Sequence, residues 1–245
     1  MIPTYVISLP EDRDRYEAVE RELTKSEFIC VISVEAVRGS LLSDPAARLL
    51  TRNKWSVNHK GTLGCFLSHT RAWEMVRDQE APFSLILEGD VQLRPVDCLE
   101  SLILPEDCDI VFCSDRTSDH AYVGLPSLRP FLRSLHFVAA NRTSIGSYGY
   151  LLTRSGAAKL LRYVEIDSFF SHVDLRMAAY CIRREDADEL DVEWMITGGV
   201  AALRRSYLAE HHLNGYSMSP PIAFHPHVDS RRDIEDRAGQ REIDG

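Results

Sequence analysis

The first 34 residues alternate between two apolar runs and one amphipathic segment, and this alternation restricts the chain more than any other feature of it. Thr4-Tyr5-Val6-Ile7-Ser8-Leu9 is a short apolar run that stops at Pro10, and a proline that cannot donate to a ladder ends a strand. Tyr16, Val19 and Leu23 then recur at helical spacing, so residues 12–25 are expected to form an amphipathic helix with Glu11 and Asp12 at its positive end. Phe28 to Val34 is rich in β-branched residues and reads as a second strand. A β-α-β opening implies parallel pairing and an α/β domain.

The same logic runs on down the chain. Residues 39–60 are polar and read as irregular, with Ser43-Asp44-Pro45 as a turn or cap. Over residues 61–79, Leu63, Phe66, Leu67, Thr70 and Trp73 share one helical stripe, and Pro82 marks the end of that helix. Phe83 to Leu87 is a continuous apolar run of strand length, as is Asp109 to Cys113. Tyr148 to Leu152 reads as a further strand, followed by helices over Ser155 to Val164 and from Asp174 to about Ile182. Residues 114–145 carry no clear period. The mostly charged stretch Asp229–Gly245 has little to bury and is expected to be a tail, leaving residues 1–228 as a single domain. With 245 residues, 44% of them hydrophobic, the chain can build a sizeable core.

A formal net charge of −9 argues against a general nucleic-acid binder, which needs a cationic footprint. The charged segment after Pro10 does not suit a secretory leader, and no run approaches the length of a membrane span. The six cysteines form no CxxC pair and show no zinc-ligand spacing, so reduced thiols and a cytoplasmic setting are expected.

Four places carry groups suited to chemistry. Glu88-Gly89-Asp90 ends a buried strand with two carboxylates one residue apart. In open α/β sheets ligands bind beyond the carboxyl ends of strands. Two acids there are either an ordinary acidic turn or a site for a hard divalent cation shared with a diphosphate. Gly61 to His69 places two glycines, Ser68 and His69 at the start of a helix, where free N–H groups suit an anion. Asp174 reads as a helix N-cap or as a general base. His225 and His227 alternate in a Pro-containing loop and could ligate a metal. No G-x-S-x-G, P-loop or G-x-G-x-x-G is present.

The order of these blocks resembles glycosyltransferase family 25, which includes lipooligosaccharide and collagen galactosyltransferases. Val6-Ile7-Ser8-Leu9 followed by Arg15 resembles its Val-Ile-Asn-Leu opening, and Ala36-Val37-Arg38-Gly39 its Ala-Val-Asp-Gly loop. Gly61 to His69 with Trp73 is similar to its Gly-x-x-Gly-Cys-x-x-Ser-His block, and Leu85 to Asp90 to its Leu-Ile-Leu-Glu-Asp-Asp block. Gly146 to Leu161 and Val173-Asp174 resemble two later segments. The chain departs from the pattern at Ser8, Arg38, His172 and Gly89. The last of these removes the middle acid of the acidic block.

The resemblance implies a GT-A-like nucleotide-sugar-binding α/β domain with a mainly parallel twisted sheet flanked by helices. It implies an inverting transfer of a hexose, with galactose expected, from a UDP-sugar to a glycan hydroxyl, as in lipopolysaccharide or another surface polysaccharide. On this reading Asp90 and Glu88 hold a divalent metal, Mn²⁺ or Mg²⁺, with His225 or His227 completing its shell. Asp174 is the base, and Ser8, Leu9, Arg15, Ser68, His69, Glu88 and Gly89 lie on the nucleotide-sugar side. A lipid-linked acceptor would bring the protein to the inner face of a membrane as a peripheral partner. Gly89 also motivates a second reading, a non-catalytic family member that binds nucleotide-sugar or glycan.

Overall fold

Strand β1 (Ile2–Ser8) is the axis of the molecule, pairing in parallel with β2 (Ile29–Glu35) on one side and β3 (Phe83–Glu88) on the other. The computed structural model describes residues 1–54, 57–117, 125–132, 135, 145–189, 200–204 and 211–224. Among them two further strands, β4 (Gln92–Leu93) and β9 (Ala223–Phe224), form a small separate ladder. The main sheet is completed by β5 (Ile110–Phe112), β6 (Ser127–Pro130), β7 (Gly149–Thr153) and β8 (Gly215–Ser219), in the order β2-β1-β3-β7-β5-β8-β6. Strands β2, β1, β3, β5 and β8 run one way, and β7 and β6 run against them. The expected α/β class with a mainly parallel sheet is therefore what the chain forms.

The helices cover both faces, as a sheet buried on both sides requires. Alternate residues of each central strand point to opposite layers. Tyr5, Ile7, Ile86, Phe112, Tyr150 and Leu152 join Phe66, Trp73, Leu160 and Met177 in one core. These last four lie on α3 (Lys60–Arg77), α4 (Arg154–Asp167) and α5 (Val173–Tyr180). Val6, Leu85, Leu87, Val111 and Leu151 face the other way, onto Val19 and Leu23 of α1 (Arg13–Leu23) and onto Val91, Val96 and Leu99. Ser84 to Leu87 are fully buried, which is why this strand reads as an unbroken apolar run rather than an alternating one.

One expectation is corrected, and one short helix is added to the reading. The stretch 39–60 is not irregular throughout: α2 spans Asp44–Thr51. Ser43 caps it by accepting from the Ala46 N–H, and Pro45 sits in its first turn, so the cap was legible and the helix behind it was not. The acidic run after Arg183 contains a short helix, α6 (Arg184–Glu189). Strands β4, β6, β8 and β9 escaped the sequence reading because they are short and, in β8 (Gly-Tyr-Ser-Met-Ser), mostly polar. No helix among the described residues is long and apolar enough to cross a membrane. The expected tail at 229–245 lies outside the described residues.

Candidate nucleotide-sugar cleft

Because β1 and β3 are parallel neighbours, their carboxyl ends open on the same edge of the sheet, and a cleft forms there. It encloses about 690 Å³, counting the part open to solvent. Three segments build its walls. β1 and the turn after it bring Ser8, Leu9, Asp12 and Arg15. The loop after β2 brings Ala36, Val37 and Arg38, whose guanidinium pairs with Glu11. Helix α3 and the end of β3 bring Cys65, Ser68, His69, Glu88, Gly89 and Asp90. All of the nucleotide-side candidates, from Ser8 to Gly89, thus line one cavity together with Asp90.

Close backbone approaches hold these walls in place. A side chain at Gly64 would bring its Cβ to 2.6 Å from Val37 O and Gly39 N, so only glycine lets the loop after β2 lie on α3. Ser68 locks that contact: its hydroxyl accepts from the Val37 N–H at 2.7 Å and donates to Gly64 O at 2.7 Å. Ser68 therefore lines the cleft but spends its hydrogen bonds on its own backbone surroundings. Gly89 answers a similar need. Its N–H donates to Ile7 O at 2.7 Å, and a Cβ there would stand 2.8 Å from the Ser8 Cβ. In this chain the turn after β3 is pressed against the end of β1, so a side chain at position 89 would need the end of β1 to shift.

The two remaining acids are held differently. Glu88 Oε1 accepts from Ser147 Oγ at 2.6 Å and lies 3.4 Å from His69 Nε2. Asp90 Oδ2 is 3.8 Å from Arg15 Nη1, a loose pair. Burial pushes the Asp90 carboxyl up to about 6; Glu88 pushes the same way, and Arg15 only partly opposes them. Two carboxylates kept close in a half-buried cleft with so little compensation are a natural seat for a hard cation. Their all-oxygen donor set fits Mn²⁺ or Mg²⁺.

Asp174 does not line this cleft. It is buried, its Oδ2 accepts from Gly146 N at 3.0 Å and its Oδ1 from Leu175 N at 2.9 Å. It stands one step behind the cleft, because Gly146 precedes the Ser147 that holds Glu88. The neighbouring residues are pinned as well: Ile145 O accepts from Ser114 Oγ, and the Tyr148 hydroxyl donates to Asp115. His225 and His227 lie outside the described residues.

Sequence reasoning missed Ser147 and Tyr150, which reach the site only because β7 is inserted antiparallel beside β3. It also missed that Cys65, one turn before His69 on α3, meets His69 and Glu88, with their ligand atoms all within 4.8 Å of one another. The four-residue spacing of Cys65 and His69 was the available signal.

The model of the family described as "Glycosyltransferase family 25 (LPS biosynthesis protein)" matches residues 1–177. Procollagen galactosyltransferase 1 of Danio rerio is 29% identical over 185 residues, covering 64% of this chain and 28% of that protein. Procollagen galactosyltransferase 2 of Homo sapiens is 34% identical over 99 residues, covering 37% of this chain and 16% of that protein. The chain thus spans less than a third of the length of these relatives. Among solved structures, the apo form of WbbM, a bifunctional glycosyltransferase, aligns with 98% of this chain and 44% of its own at 7% identity and a TM-score of 0.40.

Proposed function

The chain belongs to glycosyltransferase family 25, and from that premise we propose that it transfers a hexose, galactose in the first instance, from a UDP-sugar to a hydroxyl of a glycan acceptor. The observation that carries this reading is the cleft at the ends of β1 and β3, where Glu88 and Asp90 face inward beside Arg15. The choice of galactose follows the names of the relatives, which are galactosyltransferases.

Glu88 and Asp90 are the residues that would hold a divalent cation, which when bound supplies positive charge to a diphosphate leaving group. Arg15, on the first turns of α1, adds a fixed cation on the same side. The backbone at Ser8, Leu9 and Gly89 offers a wall without long side chains, suited to close approach by a planar base or a ribose. Ser147 orients Glu88 from behind, and His69 faces it at 3.4 Å. An acceptor hydroxyl needs a base as it attacks the anomeric carbon with inversion. Asp174 is the residue the family pattern offers for it, but its burial and its two N–H donors suit an anchoring role on Gly146 and Ser147. A transferase of this kind meets its donor in the cleft and its acceptor at the rim, as a peripheral partner where that acceptor is lipid-linked.

UDP release is the test. With UDP-galactose, a glycan acceptor and Mn²⁺, UDP should appear only when donor and acceptor are both present, and Asp90→Ala should abolish it. Release without acceptor would mean a nucleotide-sugar hydrolase. Donor binding without any release would mean the non-catalytic module that Gly89 first suggested; the presence of both flanking acids in the cleft speaks for the transferase.

A further inference from the structure

Cys65, His69 and Glu88 form a second, chemically different set of ligands in the same cleft. Cys65 and His69 are one helical turn apart on α3, so both side chains leave the same face of the helix. Glu88 comes from the end of β3 opposite them. The ligand atoms of the three lie within 4.8 Å of one another. His69 is fully buried, and its Nε2 has no hydrogen-bond partner. A buried ring nitrogen left unsatisfied is costly unless something else is meant to meet it.

The His69 and Glu88 pair already has the spacing of a tetrahedral site. Two ligands bound at roughly 2.0–2.2 Å to a tetrahedral zinc stand about 3.3–3.6 Å apart, and His69 Nε2 is 3.4 Å from Glu88 Oε1. Groups already standing behind two of the ligands would orient them. Tyr150 Oη lies 2.9 Å from His69 Nδ1 and accepts from Trp73 Nε1 at 2.8 Å, so it can take the Nδ1 proton when Nε2 faces a metal. Ser147 Oγ donates to Glu88 Oε1 and fixes that carboxylate. Cys65 and Glu88 are partly exposed, so an ion can enter from the cleft and keep an open fourth position.

We propose that Cys65, His69 and Glu88 bind a thiophilic divalent cation of the zinc and cobalt class, at a site distinct from the all-oxygen Glu88 and Asp90 pair but sharing Glu88 with it. Binding forms a metal–sulfur bond at Cys65, and the thiol proton leaves to solvent. A thiolate and an imidazole select this class over Mn²⁺ and Mg²⁺. Because Glu88 cannot serve both ions fully, Zn²⁺ is an inhibitor that competes with Mn²⁺.

The test is a Co²⁺ titration of the purified, metal-free protein, followed by optical absorption. The expected result is a one-to-one thiolate-to-cobalt charge-transfer band that Zn²⁺ displaces. Cys65→Ser weakens Co²⁺ binding at least tenfold and removes the band, whereas Asp90→Asn keeps it. No band on the wild type, a band that survives Cys65→Ser, or a band lost with Asp90→Asn overturns the proposal. Mapping of alkylation on the wild-type protein covers the case in which the variant does not fold. Zn²⁺ should protect Cys65 from iodoacetamide while Mn²⁺ does not, and equal labelling with and without Zn²⁺ also overturns it. These readouts do not involve sugar transfer, so they stand or fall separately from the proposed activity.

Discussion

Two groups of acidic side chains in this molecule have opposite surroundings. At the back of the sheet, Asp109 accepts from Lys159 Nζ at 2.6 Å, Ser155 Oγ at 3.1 Å and the Asn214 N–H at 3.0 Å. Asp167 accepts from the Tyr180 hydroxyl at 2.9 Å and faces the buried Arg176, itself stacked against Phe170. At the cleft, Asp90 has Arg15 at 3.8 Å, Glu88 as a like-charged neighbour and a carboxyl pushed up to about 6 by burial. The first group is compensated within the fold, and the second is left partly uncompensated. Acids whose charge the fold does not balance are where an external cation does the most good. A buried acid with a full set of donors is more simply read as structure.

The sharpest way to break this comparison is to exchange the outcomes of the two groups. Asp90→Ala is expected to lower the rate of transfer by about 100- to 1,000-fold, the scale of losing an electrostatic contact at the reacting centre, while thermal melting holds or rises. Asp109→Ala is expected to leave donor affinity alone and to destabilise the fold by about 1–3 kcal/mol, since it strands the Asn214 N–H while Lys159 keeps access to solvent. Calorimetry with a UDP-release assay on both variants decides it, and a stability loss in Asp90→Ala equal to that of Asp109→Ala would end the distinction.

A pH series sharpens it further. The folded Asp90 carboxyl holds its proton up to about 6, whereas the unfolded group releases it near its ordinary value of 3.8. The folded state therefore binds more protons between these limits, so this group's contribution to stability is full below about 3.8 and is lost as pH rises through 6. Metal-free wild type should lose melting temperature across that window relative to Asp90→Asn. Saturating Mn²⁺ should restore it above pH 6, where proton and metal no longer compete. Parallel pH curves for the two proteins would show that Asp90 is balanced after all.

Asp174 tests the boundary between the groups, because it is buried and satisfied yet linked through Gly146 and Ser147 to Glu88. As an anchor, Asp174→Asn should cost roughly tenfold in rate, the equivalent of one modest hydrogen bond, and leave the pH–rate profile unchanged. A much larger loss with disappearance of the acidic limb would make it the base. The smallest expected effect is at Gly89. Gly89→Ala places a methyl 2.8 Å from the Ser8 Cβ and should cost about 1 kcal/mol of stability with a few-fold loss of donor affinity. Ser8→Gly in the same chain should recover most of both, as followed by melting and donor titration.

Much of the fold was legible because it rests on local patterns. Continuous apolar runs at Thr4–Leu9 and Phe83–Leu87 can only be strands buried on both faces, and the stripe Leu63, Phe66, Leu67, Thr70 and Trp73 can only be one side of a helix packed on a sheet. The acids Glu88 and Asp90 and the Gly61–His69 block were legible too, since a strand that stops at two carboxylates and a glycine-bearing helix start are local statements. Short strands such as Ser127–Pro130 and Gly215–Ser219 were not, because their pairing depends on partners far along the chain.

What the sequence determined by itself was the layered α/β class and two segments of the cleft, Gly61 to His69 and Glu88 to Asp90, because hydrophobic period and residue chemistry are carried by each segment alone. What only the tertiary structure decided was how those residues are employed. The antiparallel insertion of β7 beside β3 brings Tyr150 to His69 and Ser147 to Glu88. The docking of the loop after β2 onto α3 turns Ser68 into a backbone clamp. The turn after β3 packs Gly89 against Ser8 and leaves no space for a side chain there without a shift. Each of these is a contact between segments distant in the chain, and its consequence depends on distances of a few ångströms that no local pattern specifies.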